Sequence, residues 1–118
     1  MIDTVHAYVR ALNAGNADAV VALYAEDAVV EDPVGTLPRR GRVAIREFYR
    51  ASCAMRLDVA LESDVRAAAR SVAFAFRVRL VDGGQPLTIH PIDVFDFDGE
   101  GRIAHMRAYF GPTNIQHA

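Results

Sequence analysis

Asp93 is a carboxylate in an otherwise apolar stretch of sequence. It lies in the segment Pro86–Phe97, where a period of two predicts a strand and places Pro91 and Phe95 on the same face. Moving a carboxylate from water into such surroundings is costly unless it is paired with a cation or protonated. Burial raises a carboxyl pKa, by up to about 3–5 units when complete, so Asp93 is a candidate neutral acid that donates a hydrogen bond at pH 7. The alternative is a structural carboxyl that bonds a backbone amide or a cationic side chain.

Asp32 is the second carboxylate with apolar neighbours. It follows the apolar run Ala28–Val30 and the residue Glu31. It precedes Pro33, and a residue before proline is biased toward an extended backbone. An Asp-Pro pair followed by Val34 and Gly35 is also typical of an ordinary turn. Both interpretations stay open on these residues alone.

Three tyrosines fall on predicted buried stripes, one in each of three predicted helices. They are Tyr8, Tyr24 and Tyr49. A buried tyrosine usually finds a partner for its hydroxyl, so three ordinary core tyrosines are one interpretation. A shared hydroxyl network is the other.

The elements that must position these residues change type along the chain. Apolar residues at helical spacing predict a first helix ending near Gly15, a second one capped by Asn16 or Asp18 that includes Leu23 and Tyr24, and a third over Arg42–Ala54. A period of two then predicts strands at 28–31, 57–67, 71–81, 86–97 and 102–110, the last with Ala104, Met106, Ala108 and Phe110 as its apolar face. Helices followed by strands indicate an α+β fold with three helices packed on a curved sheet.

The composition limits the class of protein. The chain of 118 residues is 52% hydrophobic, and we expect one domain over 1–118. A net charge of −2 gives no basic excess for nucleic acid, and no run approaches the roughly 20 apolar residues of a membrane span. The single cysteine, Cys53, and the absence of a signal-like N-terminus favour the cytoplasm.

Four arginines form a local cluster that we expect to be a solvated or dimer-contact surface: Arg39, Arg40, Arg42 and Arg46. The four histidines show no paired pattern and receive no role.

Five stretches resemble the bacterial Δ5-3-ketosteroid isomerases, in the same order and nearly from end to end. They are YVRALNAG at 8–15, VALYAEDAVVEDPVG at 21–35, AIREFY at 44–49, PID at 91–93 and MRAYFG at 106–111. The wider group is the cone-shaped, mixed-sheet fold of nuclear transport factor 2 and the SnoaL-like proteins. Residues 55–63 match less closely, and Phe110 stands where some members carry tryptophan.

The resemblance implies a role for each matched residue. Asp32 corresponds to the catalytic base, and Tyr8 and a protonated Asp93 correspond to the two donors of the oxyanion hole. Tyr24 and Tyr49 correspond to a tyrosine chain behind Tyr8. The resemblance also implies a homodimer and leaves open a cis bond between Asp32 and Pro33.

The implied activity is conversion of 3-oxo-Δ5-steroids to 3-oxo-Δ4-steroids by proton transfer from C4 to C6, and it needs no metal or organic cofactor. Around an apolar steroid we expect side chains that otherwise form core: Phe48, Phe76, Phe95, Met106, Ala108 and Phe110. Two alternatives remain. One is another enzyme of this fold, of the polyketide cyclase or epoxide hydrolase type, and the other is a non-catalytic dimeric module that binds small molecules.

Overall fold

Three helices are present in the computed structural model, which describes residues 1–117. Their bounds are α1 (Ile2–Asn13), α2 (Ala17–Val21) and α3 (Gly41–Ala54). The Asn16 side chain accepts a hydrogen bond from the Ala19 amide at 3.0 Å and caps α2, as its position in the sequence predicts. Gly15 has φ +66°, a left-handed conformation that glycine adopts without strain, and it allows the tight turn between α1 and α2.

The strands form one mixed, mostly antiparallel sheet. They are β1 (Tyr24–Glu31), β2 (Arg39–Arg40), β3 (Asp58–Leu61), β4 (Arg66–Ala68), β5 (Ser71–Asp82), β6 (Gln85–Ile89), β7 (Ile92–Phe97), β8 (Ile103–Tyr109) and β9 (Ile115–His117), with a short 3₁₀ helix at Pro112–Asn114. The strand order is β2-β1-β8-β7-β5-β6-β9, with β3 and β4 also paired to β5. Only β1 and β8 pair in parallel among these strands of residues 1–117. The predicted α+β class, with three helices on a mostly antiparallel sheet, is confirmed.

The segment 86–97 is two strands rather than the one that the alternation predicted. The strand stops at Ile89 and restarts at Ile92, because Pro91 has no N–H for a ladder hydrogen bond and the His90 amide donates to the Asn114 carbonyl instead. The long strand β5 pairs with β7 through residues 71–75 and with β6 through residues 78–82. The predicted strand 57–67 is likewise divided into β3 and β4.

The second helix and the last long strand also differ from prediction. Leu23 lies outside α2 and Tyr24 begins β1, so only two of the three tyrosines are on helices. In β8 the pairing register shifts, since Asp96 is opposite His105 whereas Phe97 is opposite Ile103. The extra residue restarts the alternation, and Ile103 is therefore buried together with Met106.

The core lies between the helices and the sheet. It is apolar, with contributions from Val5 on α1, Ile45 on α3 and Phe74 on β5. Among residues 1–117, Asp93 is the one polar or charged residue in the buried class. None of the described helices is long and apolar enough to cross a membrane.

Candidate active site

A cavity of about 250 Å³ lies between α1, α3 and the sheet, and most of its wall is apolar. Its polar lining residues are Tyr8, Asp32, Tyr49, Ser52 and Asp93. The apolar lining residues are Leu12, Phe48, Met55, Leu57, Phe76, Val78, Leu80, Ile89, Pro91, Ala108 and Phe110. An apolar pocket with a few convergent polar groups is the usual form of a small-molecule site.

Three separate elements bring Tyr8, Asp32 and Asp93 to this cavity. Tyr8 is on the buried face of α1, Asp32 follows the last residue of β1, and Asp93 is in β7. Asp93 is opposite Phe74 of β5 on one side and Ala108 of β8 on the other. The structure thus places the three predicted reacting groups around one space.

Asp93 is nearly inaccessible to solvent, with 1% of its surface exposed. Its Oδ1 atom is buried and has no hydrogen-bond partner in the described part of the chain. Burial, and then the negative charge of Asp32, raise the pKa of Asp93 well above its ordinary value. Both effects favour the protonated carboxyl, and such a group can donate a hydrogen bond into the cavity.

The pKa of Asp32 is raised less, because a positive charge acts on this carboxyl as well as burial. Burial raises the pKa of Asp32 from 3.8 to about 6, and the positive charge of Arg39 opposes that rise. Asp32 is therefore largely ionised at pH 7, with a pKa close to the pH at which a general base works best. The bond from Asp32 to Pro33 is cis, and the next residue is fixed to β8 by a hydrogen bond from the Val34 amide to the Ala108 carbonyl at 2.8 Å.

The three tyrosine hydroxyls form a buried chain. The Tyr49 hydroxyl is 3.1 Å from that of Tyr8 and 2.5 Å from that of Tyr24. Burial is the largest cause that raises the pKa of each tyrosine well above 10, so all three are neutral hydrogen-bond donors. Tyr8 and Tyr49 reach the cavity, whereas Tyr24 does not line it and contacts Tyr8 only through Tyr49.

Four of the six side chains expected around a ligand line the cavity, and two do not. Phe48, Phe76, Ala108 and Phe110 are in the wall. Phe95 and Met106 are instead fully buried core residues, opposite each other in β7 and β8. The Phe95 ring packs edge-to-face on Tyr8, with centroids 5.1 Å apart, so it supports Tyr8 from behind.

The prediction missed seven of the eleven apolar residues that line the cavity. Val78 and Leu80 continue the alternation that includes Phe76, and Ile89 and Pro91 share the row of Asp93, so the period of two could have identified them. Met55, at the end of α3, has no comparable signal in the sequence. Leu12, Ser52 and Leu57 complete the set that was not predicted.

The arginine cluster is not a uniformly solvated surface. Arg40 is exposed as predicted, but Arg39 is half-buried and its guanidinium carbon lies 4.3 Å from the centroid of the Phe48 ring. Arg42 donates to the Tyr24 carbonyl at 2.6 Å, and Arg46 pairs with Asp18 at 3.2 Å. Arg42 therefore fixes the beginning of β1, and Arg39 reaches the wall of the cavity.

The histidines do not line the cavity. His105 is 2.6 Å from a Glu31 carboxylate oxygen, and His90 is within 3.2 Å of Glu62 and Gln116. Within residues 1–117, the side chains of His, Cys, Asp and Glu form no group of three or more that could hold a metal ion.

Asp93 should cost folding stability at neutral and alkaline pH. Because its folded-state pKa is raised, the folded protein keeps a proton that the unfolded chain loses above about pH 4, so stability falls as pH rises through this window. We expect Asp93→Leu, of similar shape, to raise the free energy of unfolding by about 1–3 kcal/mol at pH 8 and by less at pH 4. Urea unfolding at both pH values measures this.

The control for this experiment is Asp27→Leu, since Asp27 is an exposed residue of β1. A surface change of this kind should alter stability by no more than about 0.5 kcal/mol. If Asp93→Leu destabilises the protein at pH 8, the Asp93 carboxyl is satisfied by its surroundings and is a structural group.

Comparisons with known proteins agree with this fold. Residues 5–106 match the family model of the SnoaL-like domain. The chain is 45% identical over 108 residues to a steroid Delta-isomerase of Nocardioides simplex. The matched region covers 92% of this chain and 87% of that relative.

Among solved structures, the chain resembles SalBIII, an epoxide hydrolase/cyclase-like enzyme described in pyran ring formation in the polyether salinomycin. The TM-score is 0.92 at 31% identity, over 98% of this chain and 94% of that one. The match to the family model covers most of the chain, and both relatives are named as enzymes. The chain therefore belongs to the SnoaL-like family of the nuclear transport factor 2 fold and is a homologue of a steroid delta-isomerase, an isomerase enzyme.

Proposed function

We propose that this protein is a steroid delta-isomerase that converts 3-oxo-Δ5-steroids to 3-oxo-Δ4-steroids. The observation that carries the proposal is that one apolar cavity contains an ionisable base, Asp32, together with two neutral donors, Tyr8 and Asp93. The 45% identity to a steroid Delta-isomerase supports the same conclusion.

The first step is removal of a proton from a carbon acid. The Asp32 carboxylate takes a proton from C4, and the electron pair of the C–H bond moves into a dienolate whose negative charge is on the 3-oxygen. Tyr8 and protonated Asp93 donate hydrogen bonds to that oxygen as its charge develops. The low polarity of the cavity strengthens both hydrogen bonds relative to water.

The second step returns the same proton to C6. Asp32, now protonated, gives its proton to C6, the carbonyl at C3 reforms, and the double bond moves into conjugation with it. No atom is gained or lost, and Asp32 ends the cycle ionised. One base can serve both carbons when they present the same face of the steroid to it.

The walls of the cavity suit a flat apolar ligand. Phe48, Phe76 and Phe110 offer aromatic surface, and Ala108 leaves room beside Asp93, which is its neighbour across β7 and β8. Binding would then be driven by removal of apolar surface from water, about 25 cal/mol per Å². The few polar groups are left to orient the 3-oxygen.

We further propose that the chain works as one domain over 1–118, as a homodimer, in the cytoplasm. A single cluster of core residues extends from Val5 in α1 to Ala108 in β8, which supports one domain. Ile92 and Tyr109 are opposite each other in the sheet and about half exposed, which supports a protein contact on that face. Sedimentation velocity measures the oligomeric state.

The test of the proposed activity is incubation with 5-androstene-3,17-dione while the absorbance of the conjugated enone is followed. We expect formation of the Δ4 product far above the buffer rate, with no added metal or cofactor. If conjugation does not exceed the buffer rate, the chain is a binding module or an enzyme with another substrate.

A second candidate is an epoxide hydrolase or cyclase, and the resemblance to SalBIII favours it. Epoxide opening needs a base that activates the nucleophile and an acid that protonates the epoxide oxygen, and Asp32 with protonated Asp93 could supply both. Incubation with an apolar cyclic epoxide, followed by analysis for diol or cyclised product, distinguishes the two. Turnover of the epoxide without conjugation of the steroid would favour this candidate.

A further inference from the structure

We propose that Arg39, which the mechanism above does not use, is a positioning residue whose partly buried guanidinium keeps the Asp32 carboxylate ionised in the apolar cavity. The catalytic consequence rests on the proposed function, because it requires Asp32 to be the base. The electrostatic claim itself concerns only Arg39 and Asp32.

The local fold brings Arg39 toward Asp32. Strand β2 pairs with β1 in antiparallel register, with Arg39 opposite Val30 and Arg40 opposite Val29. Arg39 is therefore beside the end of β1, because its partner Val30 is two residues before Asp32 in the chain. Successive strand residues point to opposite faces, and accordingly Arg39 is half-buried while Arg40 is exposed.

The Arg39 side chain is held in one place. Its guanidinium carbon lies 4.3 Å from the centroid of Phe48, a residue of the cavity wall. A planar guanidinium stacked over an aromatic face is attracted to the ring and loses little further freedom when it acts. Phe48 thus serves as a platform that orients Arg39 at the edge of the cavity.

One nitrogen of this guanidinium is a buried donor without an acceptor in the described part of the chain. Arg39 Nη1 is buried and has no hydrogen-bond partner among residues 1–117. A charged donor removed from water without a partner is costly, and a negative charge nearby reduces that cost. Asp32 follows the end of the strand that pairs with β2, and the positive charge of Arg39 lowers the pKa of Asp32 against the larger effect of burial.

The other groups near Asp32 do not supply that compensation. Asp93 of β7 and the tyrosines Tyr8, Tyr24 and Tyr49 act electrostatically with Asp32, and none of these four groups carries a positive charge in either protonation state. No other cation in the described part of the chain shifts the Asp32 pKa. Without Arg39, burial would act alone and Asp32 would hold its proton to a higher pH.

The test is the pH dependence of kcat/KM for isomerisation in Arg39→Gln, with Arg40→Gln as the matched control from the same strand. Wild-type activity should fall below about pH 6, where Asp32 becomes protonated. In Arg39→Gln we expect this acidic limb to move up by about half a unit or more, a loss of about threefold or more at pH 5 that largely recovers at pH 8.5. Arg39→Lys should restore part of the shift, and Arg40→Gln should match wild type.

A direct readout separates this claim from the proposed function. The Asp32 carboxyl carbon can be titrated by NMR in ¹³C-labelled protein, with the resonance assigned from Asp32→Asn, and this requires no turnover. An unchanged midpoint in Arg39→Gln, or an equal loss of activity at every pH, would overturn the proposal. Should Arg39→Gln fail to fold, Arg39→Met places a long apolar side chain at the same position and tests the removal of the same charge. A protein with no isomerase activity but a shifted midpoint would refute the proposed function alone.

Discussion

Asp32→Asn should lower kcat for steroid isomerisation by about 10²–10⁴-fold, the usual contribution of a positioned general base. The amide of asparagine keeps the shape of the side chain at the end of β1 but cannot accept the C4 proton. Binding should be nearly unchanged, because the apolar wall formed by Phe48, Phe76 and Phe110 is untouched. The measurements are steady-state kinetics with 5-androstene-3,17-dione and the Kd for the Δ4 product.

Asp27→Asn is the matched control for this substitution, since it changes an exposed carboxylate of the same strand. It should leave kcat within about twofold of wild type, because the carboxylate is outside the cavity lining. Retention of most turnover by Asp32→Asn would show that another group moves the proton. A parallel loss of binding would instead show that Asp32 holds the ligand or the loop.

Part of the site could be predicted from strand periodicity alone. A period of two places Asp93 in a row with Pro91 and Phe95, and a carboxyl in such a row is either paired or protonated. The structure buries Asp93 to 1% exposure and leaves its Oδ1 without a partner in residues 1–117. The periodicity could not show that Asp32 lies near Asp93, because that depends on how β1, β8 and β7 are ordered in the sheet.

Tyr24 shows where local patterns stop being informative. Val20, Val21 and Tyr24 fit helical spacing, yet the chain leaves the helix at Val21 and Tyr24 begins β1. The parallel pairing of Tyr24 with Ile103 of β8 is a contact between distant segments, and it overrides the local preference. The resemblance to the isomerases implied a tyrosine chain, and the three hydroxyls are within hydrogen-bond distance in the order Tyr8, Tyr49, Tyr24, although the predicted element for Tyr24 was wrong.

Arg39 could not be separated from Arg40 by sequence. Adjacent arginines in a loop-like segment with Pro38 are typical of a solvated cluster. The two-residue strand that orients them is too short to show an alternation of apolar and polar residues. Only the register with Val29 and Val30 shows which arginine turns inward.

Likewise, Phe95 and Phe76 have the same alternation, but only Phe76 reaches the cavity, because Phe95 lies behind the Tyr8 ring.

The tyrosine chain makes an ordered prediction, because its members differ in distance from the cavity. Tyr8→Phe removes a donor that reaches the cavity, and we expect kcat to fall by about 10²–10³-fold, as for the loss of one oxyanion donor. Tyr24→Phe removes a hydroxyl that acts only through Tyr49, so kcat should fall by no more than about tenfold. Tyr109→Phe, at a half-exposed tyrosine of β8, should leave kcat unchanged.

The order of these effects is more informative than any single value. The Tyr49 hydroxyl is 3.1 Å from that of Tyr8 and also lines the cavity, so in Tyr8→Phe it can partly replace the missing donor. Tyr8→Phe combined with Tyr49→Phe should therefore lose more turnover than Tyr8→Phe alone. A larger loss from Tyr24→Phe than from Tyr8→Phe would mean that the hydroxyl nearest the reacting oxygen is not that of Tyr8. Steady-state kcat values for the five proteins, including wild type, decide between these arrangements.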